Sequence, residues 1–249
     1  MSKKPSRTLT LVHCFLRTYF IGVAFNTRGM QNIGLTYSMQ PWLAYLYPDP
    51  KICRAATKRY LRHYQCHMLF TPLMLALCIY MEKLIANGKM QPQALESMKS
   101  TTAYSLSGLG DALYCSGIIV LWAIVSCGLL VLGQFEAAVI WTLGWQLLIQ
   151  FFKIITFALA LRFGLSFIKV LKRWRLIDSV SWFKAVNSVL IVLLAGLFLT
   201  KIGIHVTWDI YIGSLAVIAL FGYIIWKTNF ARELLLALLA ALFWLKTFI

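Results

Sequence analysis

The stretch that decides the fold is Arg28-Gly-Met-Gln-Asn-Ile-Gly-Leu-Thr-Tyr-Ser-Met-Gln-Pro41, near the start of the chain. It mixes glycines and polar side chains with large apolar residues, so it fits neither a transmembrane span nor a soluble core helix. Several apolar runs follow it. Polar, glycine-bearing backbone beside membrane spans is tolerated where it lines a cavity inside the protein. We therefore expect this stretch to approach something held in a cavity, and to end at Pro41.

The composition places the chain in a membrane. Of its 249 residues 60% are hydrophobic and 13% are charged, and its mean hydropathy is +0.75. A soluble domain uses about 45–50% apolar residues. The sequence therefore predicts an all-α polytopic membrane protein in contact with the lipid bilayer. The net charge of +16 is explained by positive-inside topology and anionic lipid, so no nucleic acid partner is predicted.

The pattern of apolar runs predicts two regions. Residues 1–104 are expected to form an amphipathic helix over 8–26, a basic helix over 51–64 and a re-entrant or half-depth helix over 68–82, which is too short to span a bilayer. Residues 105–249 are expected to form a transmembrane bundle. Its five predicted spans are 113–132, 137–161, 185–200, 210–226 and 230–249.

The basic helix over 51–64 has two interpretations. Arg54, Lys58 and Arg62 recur on one face at a helical spacing. Such a face is typical of a solvated, lipid-facing cytoplasmic helix. It also suits a docking surface for an acidic soluble partner.

The distribution of lysine and arginine predicts the topology. Residues 1–104 and 162–184 hold most of the cations and should be cytoplasmic, together with the N-terminus. The segment after Lys3 and Lys4 lacks a cleavable signal pattern, so we expect the N-terminus to be retained. The loops 133–136 and 201–209 should lie outside, and five spans then place the C-terminus outside.

Motifs for covalent chemistry are missing from the sequence. It contains no P-loop, GxSxG, HExxH or paired-carboxylate pattern, so we predict no catalytic residues and no cofactor. Its cysteines form no CxxC pair. Cys66 and His67 with His63 are the one local Cys/His cluster, and it lacks a fourth ligand, so no metal site is predicted.

Ionisable residues at membrane depth are candidates for function, because burying them in lipid is costly. Asp111 follows a glycine-bearing segment at the start of an apolar run. Its carboxylate could accept hydrogen bonds from a polar solute, or it could cap a helix N-terminus. Glu82 ends the half-depth helix, where pairing with Lys83 or Lys89 is the simpler interpretation.

A second candidate surface lies on the predicted span over 137–161. Gln146, Gln150 and Lys153 share one helical face. This face should point into the bundle, since facing lipid would be expensive. Hydrogen bonding between helices is the simpler role for it, and lining a solute path is the alternative.

Four segments resemble enzyme IID, the membrane component of the mannose-type sugar phosphotransferase family. They are Phe25–Met39, Lys58–His67, Met81–Gly88 and Leu106–Asp111, and their order and spacing agree with the family over about residues 15–170. The resemblance implies a sugar permease of a bacterial inner membrane. Enzyme IID there pairs with a membrane subunit called enzyme IIC, while soluble IIA and IIB proteins carry the phosphoryl group.

The resemblance also implies a substrate site. Gln31, Asn32, Glu82 and Asp111 would lie near the shared sugar cavity, and the phosphoryl-carrying residues would belong to other subunits. The chain therefore need not be an enzyme on its own, although it would be a subunit of a sugar phosphotransferase complex.

The chain departs from the family pattern at several positions. A second acid is replaced by Lys83, an Asn-Thr-His-Pro sequence becomes Gln65-Cys-His-Met68, and Ile119 stands where arginine is usual. These changes leave open an alternative function, that of a non-transporting scaffold or regulatory partner descended from enzyme IID.

Overall fold

A computed structural model describes residues 6–201 and the isolated positions 209, 212, 213, 216 and 220. Within this part of the chain the regular elements are helices. They are α1 (Arg7–Arg17), α2 (Asn32–Leu46), α3 (Pro50–Tyr60), α4 (Thr71–Ala86), α5 (Pro92–Gly110), α6 (Ile119–Val131), α7 (Phe135–Phe163), α8 (Ser166–Arg173) and α9 (Leu176–Lys201). A 3₁₀ turn, Thr18–Phe20, follows α1, and a π-helical segment, Asp111–Ile118, joins α5 to α6.

The chain divides into two compact units, Met1–Ser188 and Val189–Ile249. All the contacts described below lie within the first unit. Its core is built around α4, in which every residue from Thr71 to Ile79 is buried. A helix that is apolar on all sides must be surrounded by protein or lipid, and here α2, α5 and α7 pack against it. The predicted half-depth helix is therefore a core helix, and its depth in a membrane stays a prediction.

Within the described residues, three helical stretches are long and apolar enough to cross a membrane: Pro92–Val131, Phe135–Phe163 and Ser166–Lys201. They confirm the positions of the first three predicted spans and the membrane class of the protein. The helices that contain the first and third spans begin well before the predicted starts, at Pro92 and Ser166, because α5, the π-helical segment and α6 run as one helix and α8 precedes α9. The second helix begins at Phe135, two residues before the predicted start. The predicted spans 210–226 and 230–249 lie outside the continuously described residues.

The basic connection after α7 contains helix, which its charge pattern did not predict. The break that ends α7 is at Gly164, whose φ of +57° favours glycine. A Cβ there would also lie 2.3 Å from Tyr80 Cε1. A second break falls at Arg175, a non-glycine residue with a φ of +49°. These two breaks isolate the short helix α8.

The helix α2 continues through Pro41, contrary to the prediction that this stretch ends there. Pro41 has no N–H, so it leaves the carbonyl of Tyr37, one turn earlier, without its helical partner. Arg17 supplies the missing donor, because its Nη1 donates to Tyr37 O at 3.0 Å. The guanidinium also lies 4.3 Å from the centre of the Tyr37 ring. A side chain from α1 therefore stabilises α2 past the proline.

Candidate functional site

A polar cavity of about 360 Å³ lies between the α1–α2 connection, the segment before α4, the end of α5 and α7. Gln31, His67, Asp111 and Lys153 all line it. Two of the four predicted substrate residues, Gln31 and Asp111, are therefore brought together at one cavity. Asn32 and Glu82 do not line it.

The close approach expected of the glycine-bearing stretch is made to the protein's own backbone. A Cβ on Gly34 would lie 2.1 Å from the carbonyl oxygen of Ile21, so only glycine fits there. Ile21 lines the polar cavity. The glycine thus lets α2 pack directly against the turn that forms one wall of the cavity.

Gln31 ties this wall to the segment before α4. Its backbone N–H donates to Tyr64 O at 2.9 Å, and its side-chain Oε1 accepts from the backbone N–H of Cys66 at 3.0 Å. Its NH₂ group has no acceptor within residues 6–201, so it remains available as a donor at the cavity.

Asn32 holds the loop together instead of facing the cavity. Its Oδ1 accepts from Asn26 Nδ2 at 2.9 Å and from the backbone N–H of Ile33 at 2.8 Å. Its Nδ2 donates to Leu61 O. With both ends of the amide occupied, Asn32 positions Gln31, the preceding residue, and has little capacity left for a ligand.

Glu82 lies in a separate buried network. Its side chain is fully buried, and Oε2 lies 2.8 Å from Nη2 of Arg59, so the expected pairing with Lys83 or Lys89 was wrong. Tyr47 and Tyr60 both donate hydrogen bonds to the carboxylate, at 2.8 and 3.0 Å. Burial raises the pKa of both tyrosines, and the neighbouring Glu82 adds to the effect, so both hydroxyls stay protonated donors.

Asp111 lies inside a continuous helix, as the first residue of the π-helical segment. The capping interpretation was therefore wrong, since α5 precedes Asp111 without a break. Its side chain is exposed and forms no ion pair within the continuously described residues. Segments of π-helix occur often at functional sites, where they re-aim side chains. Here the segment places Asp111 beside His67 and Cys115, with one possible ligand atom of each within 4.8 Å of the others.

His67 also lines the cavity, whereas its sequence context suggested it only as a possible metal ligand. The backbone N–H of Leu69 donates to its Nδ1 at 3.1 Å, so in the neutral ring Nε2 carries the proton. Burial lowers the pKa of His67, although Asp111 opposes the shift. A neutral ring with Nε2–H is a hydrogen-bond donor, and it is in the wrong tautomer to ligate a metal through Nε2. The cluster with Asp111 and Cys115 therefore suits hydrogen bonding better than metal binding.

The polar face of α7 is only partly turned inward. Lys153 lines the cavity, and its Nζ lies 5.1 Å from the centre of the Tyr19 ring. The Tyr19 hydroxyl donates to Gln150 Oε1. Gln150 and Lys153 are half-buried, as predicted for an inward face, whereas Gln146 is exposed in the isolated chain. Within residues 6–201 the Lys153 ammonium has an aromatic neighbour and no carboxylate partner.

The helical spans and this cavity define a class of protein: a polytopic membrane protein with a polar cavity between its helices. The family model of the PTS system mannose/fructose/sorbose family IID component matches residues 7–245. The chain therefore belongs to the IID components of the mannose, fructose and sorbose family of phosphotransferase systems. The resemblance seen in the sequence is confirmed.

Solved structures agree with this fold. A chain from the cryo-EM structure of the mannose transporter ManYZ in complex with microcin E492 is 19% identical, with a TM-score of 0.61; the match covers 78% of this chain and 72% of that one. Another solved structure, described as a membrane protein, is 19% identical with a TM-score of 0.68, covering 77% and 71%. No curated protein matches the sequence.

Proposed function

We propose that this IID component forms one wall of a sugar translocation path, and that an enzyme IIC-like membrane subunit forms the opposite wall. Soluble IIA and IIB proteins would supply the phosphoryl group. The solved relative is described as a mannose transporter, ManYZ, which supports a hexose as the substrate class. The predicted topology, with a cytoplasmic N-terminus in a bacterial inner membrane, belongs to the same proposal.

The observation that carries this proposal is that one cavity is lined by Asp111 and Lys153, neither of which has an ion-pair partner within residues 6–201. Asp111 offers a carboxylate acceptor, while Lys153, His67 and Gln31 offer donors. A sugar hydroxyl both donates and accepts, so such a mixed lining suits it. Charged groups in a site shielded from water make hydrogen bonds stronger than neutral ones do.

The exposure of Asp111 supports a second membrane subunit. Asp111 lies within the candidate span Pro92–Val131 and is exposed in the isolated chain. An ionised carboxylate that faces lipid is expensive, and such residues face a protein interior or a water-filled cavity. A protein surface that covers the open side of the cavity would shield Asp111 and close the path.

Substitution of Asp111 tests the proposal. Asp111→Asn keeps the shape of the side chain and removes its charge, so we expect sugar uptake and sugar phosphorylation by the intact permease to fall by about 10-fold or more, the value of a charged hydrogen bond. Membrane levels of the protein should stay unchanged. Glu136→Gln is the matched control, because Glu136 is an exposed acid at the start of α7.

Two results would contradict the transport function. Normal uptake in Asp111→Asn would remove Asp111 from the path. No change in uptake when the whole chain is deleted, combined with altered regulation of another membrane protein, would favour the scaffold function instead.

A further inference from the structure

A second cavity, larger than the polar one, opens between α5 and the α8–α9 junction. This groove, which we call the α5–α8 groove, has a volume of about 600 Å³. Its walls are apolar and include Leu106, Leu109, Ile168, Leu171 and Leu176. No residue of the α5–α8 groove lines the polar cavity, so the two are distinct.

The rim of the α5–α8 groove is polar and cationic. Lys172 and Arg175 lie on the α8–α9 side, facing the hydroxyl-bearing residues Thr101, Thr102 and Ser105 of α5. Lys172 is exposed and has no carboxylate partner within residues 6–201. Arg175 is also exposed and pairs through Nε alone with Asp178, so its terminal nitrogens remain free to donate.

The backbone holds these two cations close together on the α8–α9 side of the groove. Arg175 is the break between α8 and α9, with a φ of +49°, and its N–H donates to the carbonyl of Lys172 at 3.2 Å. Lys172 and Arg175 are therefore held on the same turn. The rim carries a net charge of +1 from two cations and Asp178.

An apolar groove that is also lined by cationic and hydroxyl donors is complementary to an amphiphile with a negative head. We propose that the α5–α8 groove binds an anionic phospholipid, with its phosphate between Lys172, Arg175 and the threonine hydroxyls and an acyl chain against Leu106 and Leu109. Basic pockets between membrane helices are known to hold anionic head groups in this way. The proposal is independent of the sugar path, because it uses no residue of the polar cavity.

Native mass spectrometry of the full chain, purified with its copurifying subunits in mild detergent, tests the proposal. Phosphatidylglycerol and phosphatidylcholine with identical acyl chains are titrated separately. We expect discrete binding of phosphatidylglycerol and at least about five-fold weaker binding of phosphatidylcholine, the value of one cation near an anionic head group.

Two double variants separate the groove from general charge. Lys172→Gln with Arg175→Gln should lower phosphatidylglycerol occupancy by about 10-fold or more. Lys169→Gln with Arg173→Gln removes the same charge from α8 at positions that do not line the groove, and should change occupancy by less than about two-fold. Leu109→Trp fills the apolar part without changing charge, and should also displace the lipid while thermal unfolding shows that the protein remains folded.

Several outcomes would overturn the proposal. Equal losses of phosphatidylglycerol occupancy in the two double variants would mean that the lipid is held by the general positive charge of the region and not by the groove. Equal binding of phosphatidylglycerol and phosphatidylcholine would show that the cations do not select the head group. Full competition by inorganic phosphate, or unchanged lipid binding in a folded Leu109→Trp protein, would show that no acyl chain occupies the groove.

Discussion

Arg59 and Glu82 form an ion pair that is almost wholly removed from solvent. Arg59 Nη2 lies 2.8 Å from Glu82 Oε2, and the two side chains are 15% and 0% exposed. Arg59 donates to both carboxylate oxygens, because Nε and Nη2 also reach Oε1 at 3.1 and 2.9 Å. This pair joins α3 to the core helix α4, so the basic helix α3 is anchored to the bundle by one of its own cations.

Removal of Arg59 should strongly destabilise the protein, because Glu82 would remain buried without a counter-charge. We expect Arg59→Met to lower the free energy of unfolding by about 3–5 kcal/mol. Adding Glu82→Gln should recover much of this loss, since the neutral amide can still accept from one of Tyr47 and Tyr60 through its oxygen and donate to the hydroxyl of the other through its NH₂ group. Unfolding followed by tryptophan fluorescence in detergent measures both changes.

The matched control for Arg59→Met is Arg62→Met. Arg62 also pairs with an acid, Glu96, but its side chain is 70% exposed. Such surface pairs contribute less than about 1 kcal/mol. Equal losses of stability in Arg59→Met and Arg62→Met would contradict a special role for the buried pair.

The contact between Arg17 and Tyr37 predicts a coupling between Arg17 and Pro41. Arg17→Met should cost about 1 kcal/mol, because Tyr37 O then has no donor. Pro41→Ala restores an N–H one turn after Tyr37, so Arg17→Met should cost much less in that background. A double-mutant cycle on unfolding free energy measures the coupling, and additive effects would show that Arg17 does not compensate for the proline.

The stability of the protein should depend on the protonation of His67. Burial lowers the pKa of His67 from the ordinary value of 6.5, so the folded state binds this proton less readily than the unfolded state. His67 therefore has no effect on stability well above pH 6.5, and stability falls as the pH drops through 6.5 toward the folded pKa.

Melting temperatures between about pH 5 and pH 8 test this prediction, since the titration spans that range. His67→Gln should flatten the decline on the acid side, because glutamine does not titrate. His63→Gln replaces an exposed histidine of the same segment and should leave the decline in place. An unchanged acid profile in His67→Gln would show that His67 is equally easy to protonate in both states.

Much of the fold could be predicted from local pattern. Asn87 and Gly88 end α4 and Pro92 begins α5 because these residues favour helix ends. The apolar runs located the described spans, because hydropathy is also a local property of the sequence. The starts of the helices that contain the first and third spans could not be predicted, because polar helical residues such as those of α5 carry no apolar signal and are held by tertiary packing.

The candidate site could be predicted only for residues whose own type or local motif marked them. Asp111 and Lys153 stood out as charges in apolar surroundings, and Gln31 through the family motif. Arg59 and Glu82 are 23 residues apart, and Arg17 and Tyr37 are 20 residues apart on α1 and α2, so neither contact leaves a local pattern. The sequence offered His67 only as a possible metal ligand. Its role as a hydrogen-bond donor could not be predicted, because the N–H of Leu69 determines which ring nitrogen donates.

In the proposed permease, another membrane subunit covers the face of this chain that carries Asp111. Cys115 is an exposed native thiol next to Asp111 and His67. A variant that retains Cys115 alone can be labelled in native membranes with benzophenone maleimide, irradiated and analysed by mass spectrometry, with a cysteine-free variant as the control. We predict crosslinks to an enzyme IIC-like membrane protein. Crosslinks to lipid alone, in a protein that is folded and still present in the membrane, would contradict the claim.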